Sequence, residues 1–165
     1  MGDGLEQRTT IGPIQNEAQF EKLLGVNAEA RAQGTIVAGG ERHDGDGYFI
    51  ATTIVRDLPD DARLVREEQF GPVLPILAYD DLDDAIARVN DSDFGLGGSV
   101  WTSNVVRGIA VASRIESGTV WVNRHLDLPF DVPFGGAKQS GIGRQQGVEG
   151  MEDFTQARIV NAALA

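Results

Sequence analysis

Two adjacent carboxylates stand just before an aromatic ring at Glu67-Glu68-Gln69-Phe70. A Gly71-Pro72 turn and the start of a strand at Val73 follow. A carboxylate's oxygens can accept hydrogen bonds from vicinal hydroxyls, such as those of a ribose. An aromatic ring two residues on can lie against a flat heterocycle. The commoner arrangement of these residue types is a solvated acid pair beside a core phenylalanine, and the residues alone leave both readings open.

A second stretch, Gly135-Gly136-Ala137-Lys138-Gln139-Ser140-Gly141-Ile142-Gly143-Arg144, has the composition of a phosphate loop. Its spacing departs from G-x-x-x-x-G-K-[ST], because Ala137 precedes the lysine and Gln139 follows it. The dinucleotide fingerprint G-x-G-x-x-G also fails, since Gln146 takes the last glycine position. A rigid structural loop is the expectation from pattern alone. His43-Asp44-Gly45-Asp46-Gly47 looks like a calcium loop, but Tyr48 and Phe49 break the ligand pattern, which leaves a polar turn. His43 and His125 are the only histidines, with no companions at ligand spacing, so no metal site is expected. The chain has no cysteine. Within these residues there is thus no disulfide, thiolate zinc site or cysteine nucleophile.

Strands and helices in alternation must position these residues. Residues 16–33 read as a helix with Asn16 as N-cap, Gln19 at the capping-box position and Gly34 past the end. Thr35–Ala38, the stretch from Tyr48 to Val55, Val73–Tyr79, Gly98–Thr102 and Thr119–Asn123 read as extended. Pro75 marks its strand as irregular or exposed. Asp80 and Asp81 cap a helix with Leu82, Ala85, Ile86 and Val89 on one face. Asn104 caps another that runs to about Ser117. This order predicts an α/β fold, a parallel sheet flanked by helices. Residues 124–146 form a loop long enough to be functional. Phe154–Ala162 reads as a protruding C-terminal strand that lacks a partner and could find one in another chain.

The 165 residues carry a net charge of −11, all of it in residues 1–103, with residues 104–165 balanced. Such a surface repels phosphate backbones and anionic lipid, so neither nucleic acid nor membrane is an expected partner. No apolar stretch approaches the roughly 20 residues of a membrane span. Met1–Glu6 has neither a basic region nor an apolar segment, which predicts no secretory leader and a cytoplasmic protein.

Several of these segments together resemble one family. Glu67-Glu68-Gln69-Phe70-Gly71-Pro72-Val73 is similar to the E-E-x-F-G-P-V segment of aldehyde dehydrogenases. Gly118-Thr119-Val120-Trp121-Val122-Asn123 matches G-x-V-x-V-N, and Pro133 to Arg144 matches P-F-G-G-x-K-x-S-G-x-G-R. Ile11-Gly12-Pro13, Gly39-Gly40, Gly47-Tyr48-Phe49 and Phe94-Gly95-Leu96 agree in order between them.

The resemblance implies the C-terminal part of the catalytic domain at residues 1–153 and an oligomerisation strand with its tail at 154–165. Family enzymes oxidise an aldehyde to a carboxylic acid. A cysteine thiolate attacks the carbonyl, hydride passes to NAD or NADP, and a glutamate base helps hydrolyse the thioester. That cysteine, that base and the Rossmann domain precede the matching segment in the family. No catalytic residue is therefore assigned here, and the chain alone is expected to be inactive.

By the same resemblance Glu68 holds the nicotinamide ribose hydroxyls and Phe70 lies beside the nicotinamide. Gln19 and Lys22 fall where the family contacts the adenosine end, and Leu96 lines the nicotinamide pocket. Phe134 and Leu128 are aldehyde-tunnel positions. Gln145 stands where many members have Glu, and a carboxamide cannot relay a proton as a carboxylate can. The intact enzyme would take a small aldehyde and form a homo-oligomer. The rival reading is a structural or interaction module that dimerises through its C-terminal strand or complements a separate N-terminal half. A residual nucleotide-binding module using Glu68 and Phe70 is a third.

Overall fold

The computed structural model describes residues 1–43 and 47–163. The polar turn expected at 43–47 falls largely on residues 44–46, outside the described ones. The chain divides into two compact units, Met1–Asp80 and Asp81–Ala165.

The first unit holds α1 (Glu17–Gln33), β1 (Thr35–Ala38), β2 (Thr53–Arg56), α2 (Arg63–Arg66) and β3 (Val73–Ile76). Helix α1 starts as expected: the Asn16 side chain accepts the Gln19 N–H at 2.9 Å, satisfying one of the helix's free donors. Its buried residues Phe20, Leu23, Val26 and Ala30 recur at helical spacing. They join Ile50, Val55, Leu58, Ala62, Leu64 and Val73 in one core. Full burial of a Leu, Val, Ile or Phe side chain contributes about 1.5–3 kcal/mol. Asn27 is the exception on this face, 3% exposed. Neither of its side-chain polar atoms has a hydrogen-bond partner among the described residues.

The sheet of this unit has the order β1-β2-β3 and is mixed. β1 runs antiparallel to β2 and β2 runs parallel to β3, with Thr53 opposite Val73 and Arg56 opposite Ile76. Among the described residues the chain returns from β1 to β2 without a helix, and that pair is antiparallel. α2 lies between β2 and β3 and lets that pair run parallel. Pro75 sits on the edge strand, where its missing N–H costs least.

The second unit holds α3 (Leu82–Asn90), β4 (Phe94–Gly95), β5 (Gly97–Val100), α4 (Val105–Ala112), β6 (Thr119–Val122), β7 (Ala137–Lys138) and α5 (Gly147–Glu152). Asp81 caps α3 by accepting the Asp84 N–H at 2.9 Å. β5 and β6 pair in parallel across α4, with Gly97 opposite Thr119 and Val100 opposite Val122. β4 and β7 form a separate antiparallel pair. Helix α4 ends at Ala112, short of the expected Ser117. Ser113 Oγ donates back to the Ala110 carbonyl and Arg114 N–H bonds Val111 O, tightening the chain into a turn.

Among the described residues, the buried hydrophobic side chains of this unit are Ile86 and Trp121. Val89, expected on the buried stripe of α3, is exposed, as are Val105, Val106 and Ile109 of α4. The stretch expected as a C-terminal strand takes no regular structure from residue 156 to 163 and is exposed. A strand is held by its ladder, and no described strand pairs with it. Among the described residues no helix is long and apolar enough to cross a membrane.

Candidate cofactor-binding site

Four of the seven residues singled out in the sequence come together in the first unit, around the turn between α2 and β3. α2 closes at Arg66, and Glu67 leaves it in extended conformation. Phe70 then takes φ +48°. A bulky residue in the left-handed region is an outlier and costs of order 1–3 kcal/mol. The residue is 73% exposed. The core-phenylalanine reading is thereby excluded, since the core of this unit closes without it.

The strained turn is braced from two sides. The Gln69 side chain accepts the Gly71 N–H at 3.0 Å and donates to the Val73 carbonyl at 2.6 Å. From α1, Gln19 Nε2 donates to the carbonyls of Gln69 and Phe70. In the capping box expected at this position, the Gln19 side chain would return to the cap; here it reaches the turn instead. Lys22 Nζ donates to the Glu68 carbonyl at 3.3 Å. Gly71 makes this proximity possible: a Cβ there would stand 2.4 Å from Leu23 Cδ1.

The two adjacent carboxylates differ in their partners. Glu67 accepts from Arg63 Nε at 3.0 Å and lies 4.0 Å from Lys22 Nζ. Arg63 also donates to Glu29 at 3.0 Å, tying α2 to α1. The Glu67 hydrogen bond first, then the Glu29 one, hold the Arg63 guanidinium above its ordinary pKa, so it stays charged throughout the working range. The Glu68 side chain is exposed, and no cation among the described residues pairs with its carboxylate. One acid of the pair is thus structural and the other is exposed. The arginine–glutamate pairing was open to reading from its i,i+4 spacing on a short helix. The role of Gln69 had no sequence signal, because it depends on the turn's backbone.

The other three residues lie on separate segments of the second unit. Leu96 is exposed between β4 and β5. Leu128 is half-buried in the loop after β6, next to Asp127, whose carbonyl accepts Trp121 Nε1–H at 2.8 Å. Phe134 is half-buried and exchanges two backbone hydrogen bonds with Gln145, at 2.8 and 2.7 Å.

The glycine-rich stretch is a connector. Lys138 Nζ pairs with Glu116 at 2.9 Å and also donates to the Asn90 carbonyl. Ser140 Oγ accepts the Gly95 N–H at 2.9 Å, and Arg144 donates to the Gly136 carbonyl at 3.0 Å. A Cβ on Gly118 would stand 1.8 Å from the Gly135 oxygen. His125 packs edge-on to Trp121, and among the described residues no three His, Asp or Glu side chains could hold a metal ion.

One turn thus presents the exposed Glu68 carboxylate and the exposed Phe70, two positions apart. The model of the aldehyde dehydrogenase family matches residues 1–160, and the chain belongs to this family. A betaine aldehyde dehydrogenase of Rhizobium leguminosarum bv. trifolii is 42% identical over 164 residues, covering 97% of this chain and 34% of the relative. The NAD+ complex of an aldehyde dehydrogenase from Bacillus cereus superposes with a TM-score of 0.89 at 40% identity, covering 94% of this chain and 32% of that one. A Mycobacterium tuberculosis aldehyde dehydrogenase complexed with NAD+ gives 0.84 at 44% identity, over 88% and 31% of the two chains. The chain spans about a third of the length of the curated relatives it matches.

Proposed function

We propose that these residues are the C-terminal part of the catalytic domain of an NAD(P)-dependent aldehyde dehydrogenase, in which the turn at Glu67–Gly71 holds the nicotinamide half of the cofactor. The observation that carries this is the exposed Phe70, held in a strained backbone two residues after Glu68, whose exposed carboxylate pairs with no cation among the described residues. Strain of this kind persists where surrounding bonds over-determine it, and such places cluster at ligand clamps.

Glu68 accepts the ribose hydroxyls and Phe70 supports the nicotinamide face. Gln19 and Lys22 brace that turn from α1. In the second unit, Leu96 is assigned to the nicotinamide pocket, and Phe134 and Leu128 to the aldehyde passage. Bound there, NAD(P) would supply the hydride acceptor for oxidation of the aldehyde. Residues 1–153 belong to the catalytic domain in this reading and 154–165 to a homo-oligomer contact. The protein works in the cytoplasm. With no thiol in these residues to activate as a nucleophile, the chain by itself turns over no aldehyde.

The test is a chimera. The matching C-terminal third of the Rhizobium leguminosarum relative is replaced by these 165 residues, and NAD reduction is followed with betaine aldehyde. The expected result is an active chimera and an inactive isolated chain. A folded chimera without activity overturns the assignment, and turnover by the isolated chain overturns its second clause.

One observation favours a second reading, an interaction module. Residues 156–163 are exposed, take no regular structure and carry the apolar side chains of Ile159 and Val160. Sedimentation of the chain with and without residues 154–165 tests it. A dimer lost on truncation supports it, and a monomer in both cases removes it.

A further inference from the structure

We infer that Gln69 is a positioning residue that sets the Phe70 ring for its ligand, and that it acts through the backbone of the turn and not by touching the ligand. Its purpose rests on the cofactor reading above; its action on the turn does not. Both polar atoms of the Gln69 side-chain amide are engaged with main chain on the far side of Phe70. Oε1 takes the Gly71 N–H at 3.0 Å and Nε2 reaches the Val73 carbonyl at 2.6 Å. The Gln69 carbonyl, on the near side, accepts from Gln19 Nε2. Phe70 is therefore spanned by one side chain that ties residue 69 to residues 71 and 73.

A phenylalanine free of this clasp would leave φ +48° for the ordinary negative region, and its ring would leave with it. Glu, Met or Leu at position 69 would keep the bulk but lose one or both bonds. The amide is the one neutral side chain of this length with a donor and an acceptor at its tip. The residue between the second carboxylate and the aromatic thus determines how sharply the platform is defined.

The test uses the full chain with 4-fluorophenylalanine placed at position 70 and read by fluorine NMR. A single narrow resonance is expected for Gln69. Gln69→Met, which removes both bonds, is expected to shift and broaden it and to raise exchange of the Gly71 amide about tenfold, the scale of one lost hydrogen bond. Gln69→Glu keeps the acceptor for Gly71 and loses only the donor to Val73. It is expected to fall between the two, and it serves if Gln69→Met does not fold.

A merely structural role lowers the unfolding midpoint equally whatever stands at 70. The clasp requires the loss caused by Gln69→Met to shrink in a Phe70→Gly background, because glycine takes positive φ without strain. An unmoved fluorine resonance, or an equal midpoint loss in both backgrounds, overturns the inference. An NAD response that ignores Glu68 would instead sink the cofactor reading and leave the clasp standing.

Discussion

The two units put their apolar residues to different use. The first gathers ten hydrophobic residues into one buried cluster, from Phe20 to Val73. The second, of similar length, buries only Ile86 and Trp121 among its described hydrophobic residues, and within this chain Val105, Val106 and Ile109 of α4 are exposed. Its architecture is held instead by backbone ladders, glycine contacts and hydrogen bonds to main chain. Asn123 bonds both the N–H and the carbonyl of Thr102 at 2.8 Å, and Asn90 bonds Arg114 and Glu116. The strained Phe70 sits on the unit with the closed core. The second unit holds positive-φ residues too, at Asn123, Leu126, Lys138 and Gln146, so a packed core is not what such a backbone requires; at Phe70 the bonds from Gln69 and Gln19 hold it.

Four substitutions sharpen or break the contrast. Leu23→Ala, at a fully buried position, should destabilise the first unit by about 3 kcal/mol, within the range for buried leucines. Urea unfolding followed through the amides of α1 and β2 measures this. Gly118→Ala should cost the second unit about 2 kcal/mol or more, since a Cβ would overlap the Gly135 carbonyl and the backbone must shift. The same unfolding series, read through the β6 amides, checks that the loss is confined there.

Asn27→Leu should raise the stability of the first unit by about 1 kcal/mol, because it replaces a buried amide without partners by an apolar side chain of similar size. A loss would show that Asn27 has partners in solution. Smallest is Ile109→Ala on α4, 58% exposed, expected to change stability by less than about 0.5 kcal/mol. A loss near that of Leu23→Ala would erase the difference between the units.

The sequence made the chain's local signals readable and its pairings less so. Asn16, Asp81 and Asn104 all cap the helices they were expected to cap, because a cap is decided within four residues. The mixed sheet of the first unit was not legible as such. Whether β1 meets β2 head-on or in parallel depends on how the intervening chain returns, and residues 39–52 carry no helical period to decide it. The short β4–β7 pair was missed because two residues bear no periodicity at all. At the candidate site, Glu68 and Phe70 were visible as residue types that suit a nucleotide. The difference between Glu67 and Glu68 was only half visible: Arg63 stands four residues before Glu67, but Lys22 arrives from another helix. Gln19 was read as a capping-box residue and as a cofactor contact; its engagement with the turn required the fold.

The two adjacent carboxylates also furnish the sharpest test of the cofactor assignment. In the active chimera, the NAD KM is measured for Glu68→Gln and Glu67→Gln beside the parent. Glu68→Gln should raise the NAD KM about tenfold, the effect of about 1.4 kcal/mol in binding. Glu67→Gln should move it less, because that carboxylate serves Arg63. An NAD KM unchanged by Glu68→Gln would contradict the claim that this turn holds the cofactor.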